Sequence, residues 1–311
     1  MPSAREWTAE RTVSARRAAE LISHAFPQLR GAPVAALSEG WDNTVHVVSG
    51  KWVFRFPRRA SALPGFQREL VVLPRVAHLL PRPVPVPELV GMDDDPECPW
   101  PFTGSRLLPG TDVAEAALSE DARVPAAAGA GAFLRVLHAP ATWAAVREGL
   151  VAEVPVDPLQ RGWPGARMDR TRESLRRLVD DGVWAADVGV AALLAEAARL
   201  GAPSGEPVLV HGDLHVRHLL VDGAGDVAGV IDWGDVCLAD PAVDLALGYA
   251  AFSGSARTAF LAAYGDVDAE RELRARALAI RLSALLADYA AGDSRPVLLA
   301  EALAGLRRAV A

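Results

Sequence analysis

The sequence predicts an α+β chain of two lobes, a small antiparallel-sheet N-terminal lobe followed by a large, mainly helical C-terminal lobe. Three observations predict it. Short β-rich stretches separated by glycine and proline turns dominate the first hundred residues. Long apolar patterns at helical spacing dominate from residue 120 onward. Pro109-Gly110 breaks the chain where one pattern gives way to the other. At 311 residues, 51% hydrophobic and 23% charged, the chain can bury a sizeable core and is not of disordered composition. A formal net charge of -7 argues against a nucleic-acid partner. Of the 32 basic residues only Lys51 is a lysine. Cys98 and Cys237 allow one disulfide at most, and no disulfide framework is expected. Polar residues follow Met1, and every apolar run is broken well short of a membrane span. A cytoplasmic protein without a membrane partner is therefore expected.

The elements follow in order. Residues 5–25 carry Trp7, Val13, Ala18, Leu21 and Ile22 at roughly helical spacing and predict a helix. Residues 33–37 and 45–48 flank a polar, glycine-containing turn, Ser38 to Thr44, and predict a hairpin. Lys51 to Phe56 alternates, with Trp52, Phe54 and Phe56 on one face and Lys51, Val53 and Arg55 on the other. Residues 66–80 predict a helix carrying Glu69, with Pro74 expected to kink or restart it. Prolines 81, 83, 85 and 87 exclude helix and suit an edge or connector. Trp100 to Leu108 reads as a strand. This places a nucleotide-binding lobe at 1–104, a hinge at 105–110 and the helical lobe at 111–311, the interlobe cleft being the natural ligand site. In the second lobe a helix is predicted over 120–138 and further helices over 141–200. Short strands are predicted at 208–210, 219–221 and 229–231, and helices from Asp244 onward.

The most informative stretch is His211-Gly212-Asp213-Leu214-His215-Val216-Arg217-His218, held between two short apolar strands. Nineteen residues after Asp213 comes Asp232-Trp233-Gly234-Asp235, then Asp240-Pro241 and Asp244. Carboxylates repeated at strand ends are costly unless they hold a metal or move protons. Phosphoryl transfer needs such parts: a base, a metal-holding carboxylate, a cation fixed by a glutamate, and a turn over the phosphates. The chain offers Asp213, Asp232, Arg55 with Glu69, and the turn containing Gly40, Asn43 and Thr44, in a compatible order.

Glu39 to Thr44, Phe54-Arg55-Phe56-Pro57-Arg58, Arg68-Glu69, Ser105 to Gly110, Phe133 to His138, His211 to His215, Ile231-Asp232-Trp233, and Asp240-Pro241 with Asp244 form an ordered set over residues 38–245. This set resembles the aminoglycoside phosphotransferase family, small-molecule kinases with a bilobal protein-kinase-like fold. The resemblance implies Asp213 as catalytic base, Asp232 as magnesium ligand and Asp244 as a buried brace of the loop, while His211 and His215 read as loop-bracing histidines making backbone hydrogen bonds. It implies Mg2+, ATP or GTP as donor, and the hinge near Ser105 and Leu107 against the nucleotide. The chain departs from the family at Arg55, where a lysine is usual, and at His218, where the second-metal asparagine is usual. Lys51 lies four residues before Arg55, roughly 13 Å along a strand, so Arg55 is the expected phosphate ligand. His218 is expected on metal or phosphate. Macrolide phosphotransferases share an arginine followed by Pro-Arg-Arg and a histidine in the loop.

The expected function is therefore O-phosphorylation of a small-molecule hydroxyl, an aminoglycoside or macrolide antibiotic first, by a monomer. Three other readings stand beside it: a metabolic kinase of a sugar, choline-like or amino-acid-like compound, a non-catalytic nucleotide-binding module, and a metal-dependent hydrolase using His211, Asp213, His215 and His218. Bland roles remain open as well. Arg55 and Glu69 could be solvated, Trp41, Trp163 and Trp184 could pack, and Asp266, Asp268, Glu270 and Glu272 could be a solvated helix start.

Overall fold

A computed structural model describes residues 9–40, 42–96, 99–150 and 153–311. Trp7, Trp41 and Cys98 lie outside the described residues. Contacts divide the chain into one unit of residues 1–78 with 84–108 and a second of 79–83 with 109–311.

In the first unit α1 (Ala15–Ala25) is followed by β1 (Val34–Glu39), β2 (Asn43–Val48), β3 (Trp52–Pro57), α2 (Leu63–Val76), β4 (Pro87–Met92) and β5 (Pro101–Arg106). The helix expected over 5–25 is shorter. The amides of Glu10 and Arg11 both donate to the Arg58 carbonyl, which holds that segment against the end of β3. Ser14 then caps α1 by accepting from the Arg17 amide. The five strands form one antiparallel sheet in the order β1-β2-β3-β5-β4. Phe54 and Phe56 point into the core with Phe26 and Phe102, and the Phe56 and Phe102 rings stack at 4.8 Å. Each buried phenylalanine contributes about 2–3 kcal/mol. The opposite face of β3 carries Arg55, as the alternation predicts. Lys51 sits exposed in the turn before β3 rather than on the strand. Two expectations are corrected in extent: α2 starts at Leu63 rather than 66 and runs through Pro74 to Val76. Strand β4 was not expected, because the proline-rich run hides an edge strand whose outward residues need not be apolar.

The second unit contains β6 (Thr111–Asp112), α3 (Val124–Leu137), α4 (Pro140–Arg147), α5 (Pro164–Asp180) and α6 (Val188–Ala197). After these come β7 (Val208–Val210), β8 (Leu219–Val221), β9 (Val227–Val230) and β10 (Cys237–Ala239). It ends with α7 (Ala242–Ala251), α8 (Gly254–Tyr264), α9 (Ala269–Gly292) and α10 (Pro296–Val310). Every residue of α7 is buried. Glu301 ties α10 to the start of α3 by pairing with Arg123 at 2.6 Å and Arg308 at 2.8 Å. Asp268 caps α9, with Glu270 and Glu272 in its first turn, so this acidic run is a helix start. Trp163 donates to the Leu200 carbonyl and Trp184 is buried under Arg307, so both are packing residues. Two small antiparallel sheets, β10-β7 and β6-β8-β9, carry the loop that follows. Strands β6 and β10 are too short to leave a periodic signature. The buried Cys237 thiol on β10 is pushed up to about 12 by desolvation. No helix among the described residues is long and apolar enough to cross a membrane.

Candidate active site

In the first unit, alternation along β3 and the buried face of α2 bring Arg55 and Glu69 together. Arg55 Nη1 lies 2.7 Å from both Glu69 oxygens, and the glutamate is 2% exposed. The pair that spacing suggested is thus a nearly buried ion pair, not two solvated charges. The hairpin turn is tied to β3: the Gly40 carbonyl accepts from Arg58 Nη1 at 2.6 Å, and Asp42 pairs with Arg59. Asn43 and Thr44 are buried, and their Oδ1 and Oγ1 atoms have no hydrogen-bond partner among the described residues. Ser105 is buried on β5, and the Leu107 amide donates to the Lys51 carbonyl. Lys51 therefore contributes main chain here.

In the second unit the loop 211–218 leaves β7 and enters β8. Gly212 has φ +90°, and a Cβ there would overlap the Asp235 carbonyl, so only glycine fits. Asp244, fully buried at the start of α7, accepts from the His211 amide at 2.7 Å and the Gly212 amide at 3.0 Å. His138 Nε2 lies 3.1 Å from the same carboxylate, with its Nδ1 3.0 Å from the Tyr264 hydroxyl. Burial alone would push the Asp244 carboxyl up; the hydrogen bond and charge of His138, with His211 and the Gly212 amide, bring it below the usual range.

The imidazole roles follow from their partners. His211 Nδ1 accepts from the Asp213 amide, so Nε2 carries the proton donated to the Ile231 carbonyl at 2.9 Å. His215 Nδ1 accepts from the Arg217 amide. Burial lowers both histidines, His215 well below its ordinary value with help from His218 and Arg217, so both are neutral supports of the loop. His218 Nδ1 donates to the Asp213 carbonyl at 2.8 Å, which leaves Nε2 facing Asp232 Oδ2 at 3.3 Å.

Asp232 has φ +67°, in the left-handed region, a strain that sites of chemistry tolerate. Its half-exposed carboxylate and that of Asp213 are oxygen donors of the kind Mg2+ takes, so the residues fit that ion through oxygen, with His218 beside Asp232. Asp213, His215 and His218 each place a donor atom within 4.8 Å of the others. The His215 and His218 rings stack at 3.8 Å. His211, spent on Ile231, is outside the group. The hydrolase set is thereby divided.

The sequence reading missed Arg161. Its Nη2 lies 3.2 Å from Asp213 Oδ1 and 2.7 Å from Asp235 Oδ2, and Nη1 donates to the Gly212 carbonyl. The loop that presents it is built locally. Asp157 accepts from the amides of Arg161 and Gly162, its own amide bonds Leu238 of β10, and Arg274 holds the Gly162 carbonyl. Burial alone would raise the Asp213 carboxyl, but Arg161, then His218 and His211, hold it below the usual range. Asp235 goes the other way, pushed up by burial and by Asp213 against the pull of Arg161. One carboxylate is thus kept ionised on a loop whose His211 and Gly212 amides are tied to Asp244.

Three comparisons bear on this arrangement. An uncharacterized protein, YcbJ, of Bacillus subtilis (strain 168) is 47% identical over 58 residues, and the match covers 19% of this chain and 19% of that protein. The fold is similar to the GDP complex of wild-type aminoglycoside 2'-phosphotransferase-IIIa, at 22% identity over 96% of this chain and 98% of that one, with a TM-score of 0.66. It is also similar to macrolide 2'-phosphotransferase MphH from Brachybacterium faecium, at 23% identity, covering 92% and 97%, with a TM-score of 0.58. These two likenesses are of fold. The sequence profile described as the phosphotransferase enzyme family matches residues 33–278, and the chain belongs to that family.

Proposed function

We propose that the protein transfers the γ-phosphoryl group of ATP or GTP directly to a hydroxyl of a small molecule. The observation that carries this reading is Asp213, ionised, 3.2 Å from Arg161, on a loop braced by Asp244. Asp213 orients the acceptor hydroxyl and takes its proton. The acceptor oxygen forms a bond to the γ-phosphorus, the bond from that phosphorus to the β–γ bridging oxygen breaks, and the nucleoside diphosphate leaves with the electron pair. Arg55, oriented by Glu69, holds phosphate oxygens. Gly40, Asn43, Thr44, Ser105 and Leu107 complete the nucleotide contacts, the buried Asn43 and Thr44 through the main chain. Asp232, with His218, would hold Mg2+, which supplies charge neutralisation on the phosphates. Positioning and electrostatics account for most of the rate. The reaction belongs in the cytoplasm, where its donors are found, with a monomer as the working unit.

An aminoglycoside or macrolide antibiotic is the first acceptor class to assay, because the fold neighbours are named for those substrates, and its phosphorylation would confer resistance. The test is a panel of aminoglycosides, macrolides and simple hydroxyl metabolites, each with ATP and with GTP. Wild type is expected to phosphorylate at least one member and D213N none, with nucleotide binding kept. Nucleotide binding without transfer to any member would favour a non-catalytic module, and stoichiometric zinc surviving dialysis would favour the hydrolase. Transfer to a simple hydroxyl metabolite alone would favour a metabolic kinase.

A further inference from the structure

Tyr264 stands outside every motif of the ordered set, yet the packing of three helices brings it to the brace of the loop. A Cβ at Gly131 of α3 would overlap the Phe260 carbonyl of α8, and one at Gly248 of α7 would overlap the Phe260 ring, so two glycines let α8 lie close against both helices. Tyr264 comes one turn after Phe260 and falls on the same side of α8, where the two rings run parallel with centroids 6.5 Å apart. There it meets His138, the residue that ends α3, ring edge to ring face at 5.6 Å. The Tyr264 hydroxyl lies 3.0 Å from His138 Nδ1, and His138 Nε2 lies 3.1 Å from Asp244 Oδ2. The same Oδ2 accepts from the His211 amide, and Oδ1 accepts from the Gly212 amide. One chain of hydrogen bonds thus runs from the end of α8 to the residue before Asp213, through the buried His138 and Asp244.

We propose that Tyr264 is a positioning residue for Asp213, acting through His138 and Asp244. An ionised carboxylate only accepts, so His138 Nε2 carries the proton given to Asp244. A phenol hydroxyl both donates and accepts, so Tyr264 satisfies Nδ1 in the neutral and in the charged ring alike. Without that hydroxyl Nδ1 loses this partner inside the protein, and the ring that holds Asp244 is no longer fixed on both sides. The Asp244 carboxylate serves the two amides through its two oxygens, so one small rotation weakens both together. Asp213 follows directly in the chain, and misplacing a reacting group by about 1 Å costs about 10²-fold in rate. The proposal rests on the phosphotransferase reading for its effect on rate but not for its effect on the loop.

Amide hydrogen exchange of the whole protein reads the loop without any acceptor. In Y264F the His211 and Gly212 amides are expected to exchange about two- to tenfold faster, the worth of one neutral hydrogen bond, while the α10 amides keep the wild-type rate. In the transfer assay kcat is expected to fall by at least the same factor, with nucleotide and acceptor KM held within about twofold. Y249F is the control. Tyr249 is buried on the helix that carries Asp244, and its hydroxyl has no hydrogen-bond partner among the described residues, so its loss should leave loop exchange and kcat unchanged. H138Q retains an amide that can donate to Asp244 and is expected to keep more loop protection and kcat than H138A. Y264F added to H138A is expected to change nothing further; should H138A fail to fold, Y264F against Y249F decides. Unchanged loop exchange in Y264F, an equal rise in α10, additive losses in the double variant, or faster loop exchange with the kcat of an active enzyme unmoved would each overturn the proposal. If wild type phosphorylates no acceptor while Y264F still frees these two amides, the link from Tyr264 to the loop stands and the phosphotransferase reading fails.

Discussion

Replacing Arg161 with glutamine removes a charge from the centre of the proposed site while keeping a polar side chain there. Arg161 contacts Asp213, Asp235 and the Gly212 carbonyl, and its side chain is 18% exposed against 27% for Asp213 and 34% for Asp235. Removing one member of a fully buried pair costs about 3–5 kcal/mol, and an exposed pair is worth about 0–1. The intermediate burial here puts the loss of stability at about 2–3 kcal/mol, and kcat is expected to fall with the loss of the group that sets Asp213. The pH dependence gives the sharper signature. Arg161 is the strongest of the groups that lower the Asp213 carboxyl, and without it Asp235 faces Asp213 as an uncompensated like charge. The folded-state value of Asp213 rises, so the acid limb of the rate profile moves to higher pH. The assay is steady-state phosphoryl transfer across mildly acidic to neutral pH, to the acceptor the panel identifies or, lacking one, to water. Melting curves check that R161Q is folded. A folded R161Q with wild-type kcat and an unmoved acid limb would show that Arg161 does not set the state of Asp213.

Three further outcomes are expected. R55A should raise the nucleotide KM by about 10–100-fold, the worth of a charge-assisted hydrogen bond, while K51A stays near wild type because Lys51 is exposed in a turn; titration with both donors decides, and the reverse order would refute Arg55 as the phosphate ligand. G212A combines a left-handed φ with an overlap at Asp235 and should cost at least about 2 kcal/mol and most of the activity, read by melting and transfer assays. Stability should fall on acidification: burial keeps His211 and His215 below their ordinary value, so below about pH 6.5 the unfolded chain binds protons that the folded protein does not. The contributions of Asp213 and Asp244 are likewise present above the ordinary carboxylate range and are lost as pH falls through their lowered folded values. A melting temperature unchanged from neutral to about pH 5 would contradict the neutral assignment of the histidines.

The poverty in lysine shows how far composition reaches. It required that any lysine chemistry fall to Lys51 or to an arginine, and alternation along one strand was enough to choose Arg55 over its neighbour on the turn. The candidate catalytic loop was equally legible, because Gly212, Asp213, His215 and Asp244 stand among chain neighbours or in a set that keeps its order along the sequence. Local spacing also signalled the hairpin, most of the helices and the two kinds of lobe, since period-2 and period-3.6 patterns are written directly in apolar residues. It could not signal β4, β6 or β10, which are edge or two- to three-residue strands held by partners.

Arg161 was invisible for a different reason. It stands 51 residues before the glycine whose carbonyl it holds, in an irregular loop, among many other arginines, and nothing in its neighbours marks it. Only the docking of residues 155–162 on β10 brings it to Asp213. The sequence by itself determined the fold class and pointed to the proposed base and strand cation, because these depend on short-range pattern and order. The tertiary structure decided which charges meet, and with them the lowered carboxyl of Asp213, because Coulomb interactions depend on distance in space rather than along the chain.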